Sequence, residues 1–250
     1  MGKRTDPPGG MTMNELLKIF QVDFGALAQP AEGDMPGRPL TRDRVFEAVR
    51  QAIVEGRLAP GTRLPERELC EAFGISRTVV REVARRLEAE KLATVIPHSG
   101  LRVATVTRKI VREIYEIRME LEVIIVRSFL ACASDDDIAV AQEFGQKLLD
   151  AGMRSDKVGM VETMSSFLRF MTEVADNQIA AELLAQLRSR VNMLRVYAMA
   201  EPGQLETGME GVRAIIAGIT ARDDAAAERA TRVYVSRSAE AVLRHMERDA

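Results

Sequence analysis

The stretch "SRTVVREVARRLEAEKL", Ser76 to Leu92, decides how the chain is read. At roughly 100° per residue, Val79, Val80, Val83, Ala84 and Leu87 fall on one arc of a helix, and Arg77, Thr78, Arg81, Arg85 and Glu88 fall on the other. One face is built for burial and the other for something polar. A mixed-charge face is usually only solvated, so the flanking residues must settle what the arginines are for. Upstream, Val45, Val49, Ala52 and Ile53 form a helical stripe that ends in "EGRLAPGTRLP", where Gly56, Pro60, Gly61 and Pro65 interrupt it. A second helix, "ERELCEAF", is closed by Gly74, and Ser76 stands at the N-cap position of a third that begins at Arg77. Helix, glycine turn and capped helix is the spacing of a helix-turn-helix, whose second helix lies in the major groove with its N-terminal residues nearest the bases. "ATVIPHSGLRVATV" follows, with β-branched runs at 94–96 and 102–106 around "PHSG", a hairpin suited to a wing.

Charge distribution supports that reading. The 250-residue chain has a net charge of only −2, which argues against a protein coated in nucleic acid. Between Ser76 and Lys109, however, eight basic residues face three acidic ones. A local basic patch suits a protein that engages phosphates with one end. No apolar run approaches the roughly 20 residues that span a bilayer, and "MGKRTDPPGG" lacks the apolar core of a signal peptide, so a cytoplasmic location and no membrane partner are expected. Two cysteines, Cys70 and Cys132, fit a reducing compartment and show no zinc spacing. Cys70 reads as a small buried hydrophobe, with a redox sensor as the alternative.

The chain divides into three segments. Residues 1–38 hold "PPGG" and "QPAEGDMPGRP" around one short apolar piece and read as a flexible arm. Residues 39–106 form the winged helix-turn-helix. Residues 107–250 contain no strand pattern, only helical stretches near 108–132, 135–152, 157–175, 178–199, 204–221 and 223–247, broken at "SDDD", "AGMRSD", "DN", "EPG" and "RDD". The expected fold is mainly α: an N-terminal winged helix-turn-helix with a small β-hairpin wing, then an all-α six-helix bundle with antiparallel neighbours. No nucleophile–base pair, paired carboxylates or phosphate loop appears in the helical part. "SDDD" reads as a helix start whose acids complement the dipole, so an enzyme is the least favoured reading.

From Ile53 to Val103 the residues resemble the winged-helix domain of the GntR superfamily of bacterial transcription regulators, and the following helices resemble its FadR branch with the FCD-type C-terminal domain. The likeness runs over roughly residues 40–245. It is carried by the G-x-L-x-P-G turn at Gly56–Gly61, L-x-E-R-E-L at Leu64–Leu69 and S-R-T-x-V-R-E at Ser76–Glu82. The family often has proline where Val79 stands and "REAL" where this chain has "REVA", and both changes keep the positions apolar. The resemblance implies operator contacts from Arg67, Ser76, Arg77, Thr78 and Arg81, with Gly100 letting the wing tip approach the minor groove. His98 beside it reads as a phosphate contact or as decoration of the hairpin. Arginine can bridge guanine O6 and N7, whereas Ser76, Thr78 and the amides at a helix start can hold a phosphate.

The same resemblance implies a small-carboxylate sensor in the C-terminal domain, often built on a metal held by one aspartate and three histidines. This chain has two histidines in all, His98 and His245. At the ligand positions it carries Met164 and Leu168 in "MSSFL", Val212 in "GVRAII" and Tyr234 in "ATRVYV". Methionine, leucine and valine give no hard ligand, so no metal and no other cofactor is expected. The substitutions imply instead an apolar cavity lined by Met164, Leu168, Met171, Val212 and Tyr234, either filled by its own side chains or open to an apolar effector such as an acyl chain or aromatic acid.

Arg118 is the candidate for a carboxylate. It falls inside an arc of about 140° shared by Ile110, Val111, Ile114, Ile117, Leu121, Ile124 and Ile125, and a guanidinium there needs a partner. That partner is Glu122 one turn on, another glutamate across the bundle, or an effector; Tyr197 and Arg195 are weaker candidates, more often structural. The chain is therefore expected to be a homodimeric, ligand-responsive regulator of double-stranded operator DNA, a repressor released by a small carboxylate or acyl-type metabolite. An effector-blind DNA binder is the alternative.

Overall fold

The computed structural model describes Ile19, residues 42–96 and residues 100–248. The arm lies outside this set apart from Ile19, whose carbonyl accepts a hydrogen bond from Arg57 Nη1 at 2.6 Å. His98 also lies outside it. The chain divides into two compact units, Met1–Thr105 and Val106–Ala250.

In the first unit, α1 (Arg42–Val54) buries Val45, Val49, Ala52 and Ile53. A turn leads to β1 (Arg63–Leu64), then α2 (Glu66–Phe73) and α3 (Arg77–Ala89). Gly74 ends α2 in the left-handed conformation, φ 62°, and its N–H is donated to the Cys70 carbonyl. Glycine takes that geometry without the Cβ clash that penalises other residues. Ser76 then caps α3, its Oγ accepting from Val79 N–H at 3.4 Å. Val80, Val83, Ala84 and Leu87 are buried while Arg77, Thr78, Arg81 and Arg85 are exposed.

Arg86 is exposed but held by contacts within the unit. It stacks 3.9 Å from the Phe46 ring centroid and pairs with Asp43, which clamps α3 to α1. Strands β2 (Ala93–Ile96) and β3 (Gly100–Val103) form the expected hairpin, but the sheet has three strands in the order β1-β3-β2, all antiparallel. β1 is two residues long, too short to show alternation, and the register Arg63↔Arg102 and Leu64↔Leu101 recruits it. β3 ends at Val103, before the expected end of its run at 106, because the Ala104 N–H turns to the Leu92 carbonyl.

The second unit is made of α4 (Arg108–Cys132), α5 (Asp135–Met153), α6 (Lys157–Val174), α7 (Gln178–Ala198), α8 (Gln204–Thr220) and α9 (Asp224–Arg248). Connections of two to five residues join them. Ser134 opens α5 with a full capping box, its Oγ accepting from Asp137 N–H while Asp137 accepts from the Ser134 backbone. This places "SDDD" as a helix start. Arg108–Glu247, Tyr115–Ser238 and Glu120–Arg232 contacts set α4 and α9 antiparallel. The core gathers Leu121, Ile125, Phe129, Leu148, Phe167, Met171, Val212 and Ile219 from α4, α5, α6 and α8.

One expectation needs correction. Of the apolar arc on α4, Val111, Ile114, Leu121 and Ile125 are buried, but Ile110, Ile117 and Ile124 are exposed, Ile117 to 57%. An arc of about 140° is wider than the stripe its neighbours cover, and the seven-residue spacing leaves these three in one line on its outer edge.

Candidate functional site

Two constellations stand out, one in each unit. In the first, a groove of about 570 Å³ runs between α3 and the sheet, lined by Arg63, Arg67, Arg77, Arg81 and Arg85 together with Gly100. Among the described residues Glu66 alone brings a carboxylate into its wall. The arginines keep their heads in water: Arg67 pairs with Glu71 at 2.8 Å and Arg81 with Glu66 at 3.2 Å, both at exposed positions. Exposed ion pairs of this kind contribute about 0–1 kcal/mol, so a phosphate displaces them at little cost. Ser76 and Thr78 stand exposed at the start of α3 beside the groove.

Sequence reasoning anticipated Arg67, Arg77, Arg81 and Gly100 here. It missed Arg63, whose only signal was its place in a two-residue strand read as a helix breaker. Gly100 has a reason within the unit itself: φ is +84°, and a Cβ would come within 3.2 Å of the Leu64 carbonyl oxygen. Close passage of β3 across β1 therefore requires glycine. Cys70 is half-buried, and burial, the largest influence on it, pushes its thiol up, away from the reactive thiolate.

In the second unit the four positions carried over from the family's ligand set come together. Met164, Leu168, Val212 and Tyr234 all border one cavity between α4, α5, α6, α8 and α9, with Met171 and Phe167. Its free volume is about 20 Å³, room for a water or two at most. The polar side chains in its wall are Glu122, Thr231 and Tyr234, and Thr231 already donates to the Ala227 carbonyl. These residues do not fit the one-aspartate, three-histidine metal centre, which needs four hard donors. Among the described residues no group of three His, Cys, Asp or Glu side chains is placed to hold a metal ion.

Arg118 is in the interior as expected, only 2% exposed, but it does not border the cavity. Its Nε donates to Glu122 Oε1 at 2.8 Å, and Arg195 Nη2 on α7 donates to the same oxygen at 2.7 Å. Glu122 is 3% exposed and Arg195 5%. Two buried guanidiniums thus share one carboxylate. Burial opposes ionisation of Glu122, but Arg118 and Arg195 together hold its carboxyl below the usual carboxylate range. Burial and the charge of Arg118 pull Arg195 down, the direction expected of an arginine short of counter-charge. Arg118 Nη1 and Nη2 and Arg195 Nε are buried with no hydrogen-bond partner. The sequence alone favours Arg118 over Arg195, because nothing along one chain tells which of two buried arginines meets a void.

The family models match both units. The model for bacterial regulatory proteins of the gntR family covers residues 41–103, and the FCD domain model covers residues 113–237. The chain is a GntR-family regulator with an FCD domain. It resembles the HTH-type transcriptional regulator McbR of Escherichia coli (strain K12), 28% identical over 196 residues, 78% of this chain and 88% of that protein. The HTH-type transcriptional repressor RspR of the same organism is 25% identical over 207 residues, 83% of this chain and 90% of that one. The solved structure of E. coli McbR/YncC shares the fold at a TM-score of 0.67 and 24% identity, covering 84% of this chain and 98% of that one. This GntR-family protein is a transcription regulator and not an enzyme. Among its described residues no helix is long and apolar enough to cross a membrane.

Proposed function

We propose that this regulator is a cytoplasmic repressor that binds a short palindromic operator as a homodimer and is released by a small carboxylate or acyl-type metabolite without a metal. The observation that carries the DNA reading is the row of exposed arginines in a groove at the start of a capped helix. Arg77 and Arg81 reach base edges in this reading. Arg67, Ser76, Thr78 and the wing at Gly100 position the backbone, as does His98 by its place in the sequence. A relative named as a repressor supports the sign of regulation.

Pairing of two copies matches the symmetry of a palindrome. Ile110, Ile117 and Ile124 offer an exposed apolar line at the seven-residue interval typical of helices that pair with helices. In the second unit, Met164, Leu168, Val212 and Tyr234 receive the effector's apolar body, and the Arg118 cluster its carboxylate. An effector loosens DNA binding only by preferring a conformation that misaligns the recognition helices, typically worth about 1–3 kcal/mol.

The test is selection of bound genomic fragments, followed by anisotropy titration of the recovered operator with and without carboxylates. A selected palindrome whose affinity falls when an acid is added supports the proposal, and recovery of no consensus overturns it. The small volume of the apolar cavity favours one second reading, an effector-blind DNA binder. Intact operator binding that no acid perturbs selects that reading.

A further inference from the structure

A second void of about 30 Å³ lies beside the apolar cavity and shares Leu148, Met164 and Tyr234 with it. Its wall holds Arg195, Gln204 and Ser238, with Met160 and Met164 of α6 and Met199 just past the end of α7. We infer that Arg195, with Gln204 and Ser238, forms the subsite for the effector's carboxylate, and that Glu122 limits it to a single negative charge. The inference rests on the effector reading above and assigns the headgroup to a different cavity and a different arginine.

The charges demand it. Each guanidinium carries five N–H donors, and the pair in this interior makes three side-chain hydrogen bonds: Arg118 Nε and Arg195 Nη2 to Glu122, and Arg195 Nη1 to Asn192 Oδ1 at 3.2 Å. Three of their nitrogens are bare. Glu201, the next buried carboxylate, is engaged by Arg248 and lies beside His245, so it does not neutralise Arg195. The interior thus carries one uncompensated positive charge, which a low-dielectric core tolerates poorly. One monoanion completes it, and a dianion overfills it.

Among monoanions a carboxylate suits the site, because one of its oxygens can accept a charge-assisted hydrogen bond from the bare Arg195 Nε while the other is left as an acceptor for the Gln204 amide and the Ser238 hydroxyl. Ser238 already shares a hydrogen bond with Tyr115 Oη at 2.8 Å, which fixes its position. The effector's body reaches the apolar cavity by displacing Met164, the shared wall. Methionine, unbranched with three rotatable bonds, yields there at low cost, whereas neither void admits more than a water or two as it stands.

The test uses the full chain and two acids of equal length, hexanoate and adipate, at matched ionic strength, read by thermal shift and calorimetric titration. Wild type is expected to bind hexanoate at least tenfold more tightly than adipate. Arg195→Met leaves Arg118 and Glu122 as a neutral pair, so it should melt no lower than wild type yet lose hexanoate binding at least tenfold. Glu122→Gln, which leaves two positive charges, should melt lower without ligand and bind adipate at least tenfold more tightly than wild type does. If Glu122→Gln does not fold, Arg195→Met decides alone. Full-strength hexanoate binding by Arg195→Met overturns the subsite and leaves the effector reading with Arg118. Equal binding of both acids by wild type overturns the charge limit. A wild type that binds operator but responds to neither acid overturns the effector reading and the subsite together.

Discussion

Arg81 and Arg195 put the same guanidinium into opposite surroundings. Arg81 lies in a wet groove of the DNA-binding unit, loosely held by Glu66, with like-charged neighbours at Arg63, Arg67, Arg77 and Arg85. Water screens these charges from one another, so the groove accumulates positive potential without unfolding the unit. Arg195 is buried in the FCD domain, where it and Arg118 compete for one carboxylate. The first region can spare any single arginine and stay folded. The second cannot lose its one negative charge. Exposure makes a guanidinium a tool for an outside phosphate, and burial makes it a demand for an inside anion.

The strongest way to break this contrast is to remove Glu122. Glu122→Ala should cost about 3–5 kcal/mol of stability, since it leaves two buried charges unpaired, and chemical denaturation of the full chain measures it. A loss below about 1 kcal/mol would mean that water or rearrangement already supports the arginines. Acid sharpens the same point. The Glu122 carboxyl is held below its ordinary value of 4.5 in the folded state, so the unfolded chain takes up the proton first as pH falls. The stabilisation is complete above about pH 4.5 and drains away as pH falls through the lower folded value. Unfolding followed against pH should show this loss, and Glu122→Gln should abolish its share.

Next in size, Arg77→Ala and Arg81→Ala should each weaken specific operator binding by about 1–3 kcal/mol. Melting temperature should stay within a degree or two, because neither side chain packs in the core. A matching loss of stability would place these residues with Arg86, as clamps between helices, and erase the difference between the regions. Ser134→Ala should cost about 1 kcal/mol through the broken capping box, with operator affinity unchanged. The smallest effect is expected from Arg67→Ala: stability within about 0.5 kcal/mol and a salt dependence of DNA binding shallower by about one counterion.

Much of the fold was legible because its signals are local. Ser76 and Ser134 announce helix starts by side-chain chemistry that acts over three residues. Gly74 ends α2 by a backbone angle that needs no neighbour, and all six helices of the FCD domain follow from periodicity and breakers. The exposed side of α3 was legible for the same reason. β1 was not, because two residues become a strand only when β3 supplies the hydrogen bonds. The outward turn of Ile117 was hidden as well: helical spacing gives an angle around the axis but not the width of the groove that neighbours fill.

The buried site divides along the same line. Residues at 164, 168, 212 and 234, far apart in the chain, were placed together by resemblance, and the apolar cavity they border lies where that placement put it. That Arg195 rather than Arg118 borders a void arises from the crossing of α4 and α7, which no local pattern encodes. The sequence by itself determined where helices begin and end and which face of α3 carries charge, since capping, turn chemistry and periodicity act within a few residues. Only the tertiary structure decided that two buried arginines share one carboxylate and that Arg195 borders a void, because burial and charge compensation depend on what distant segments bring to the same few ångströms.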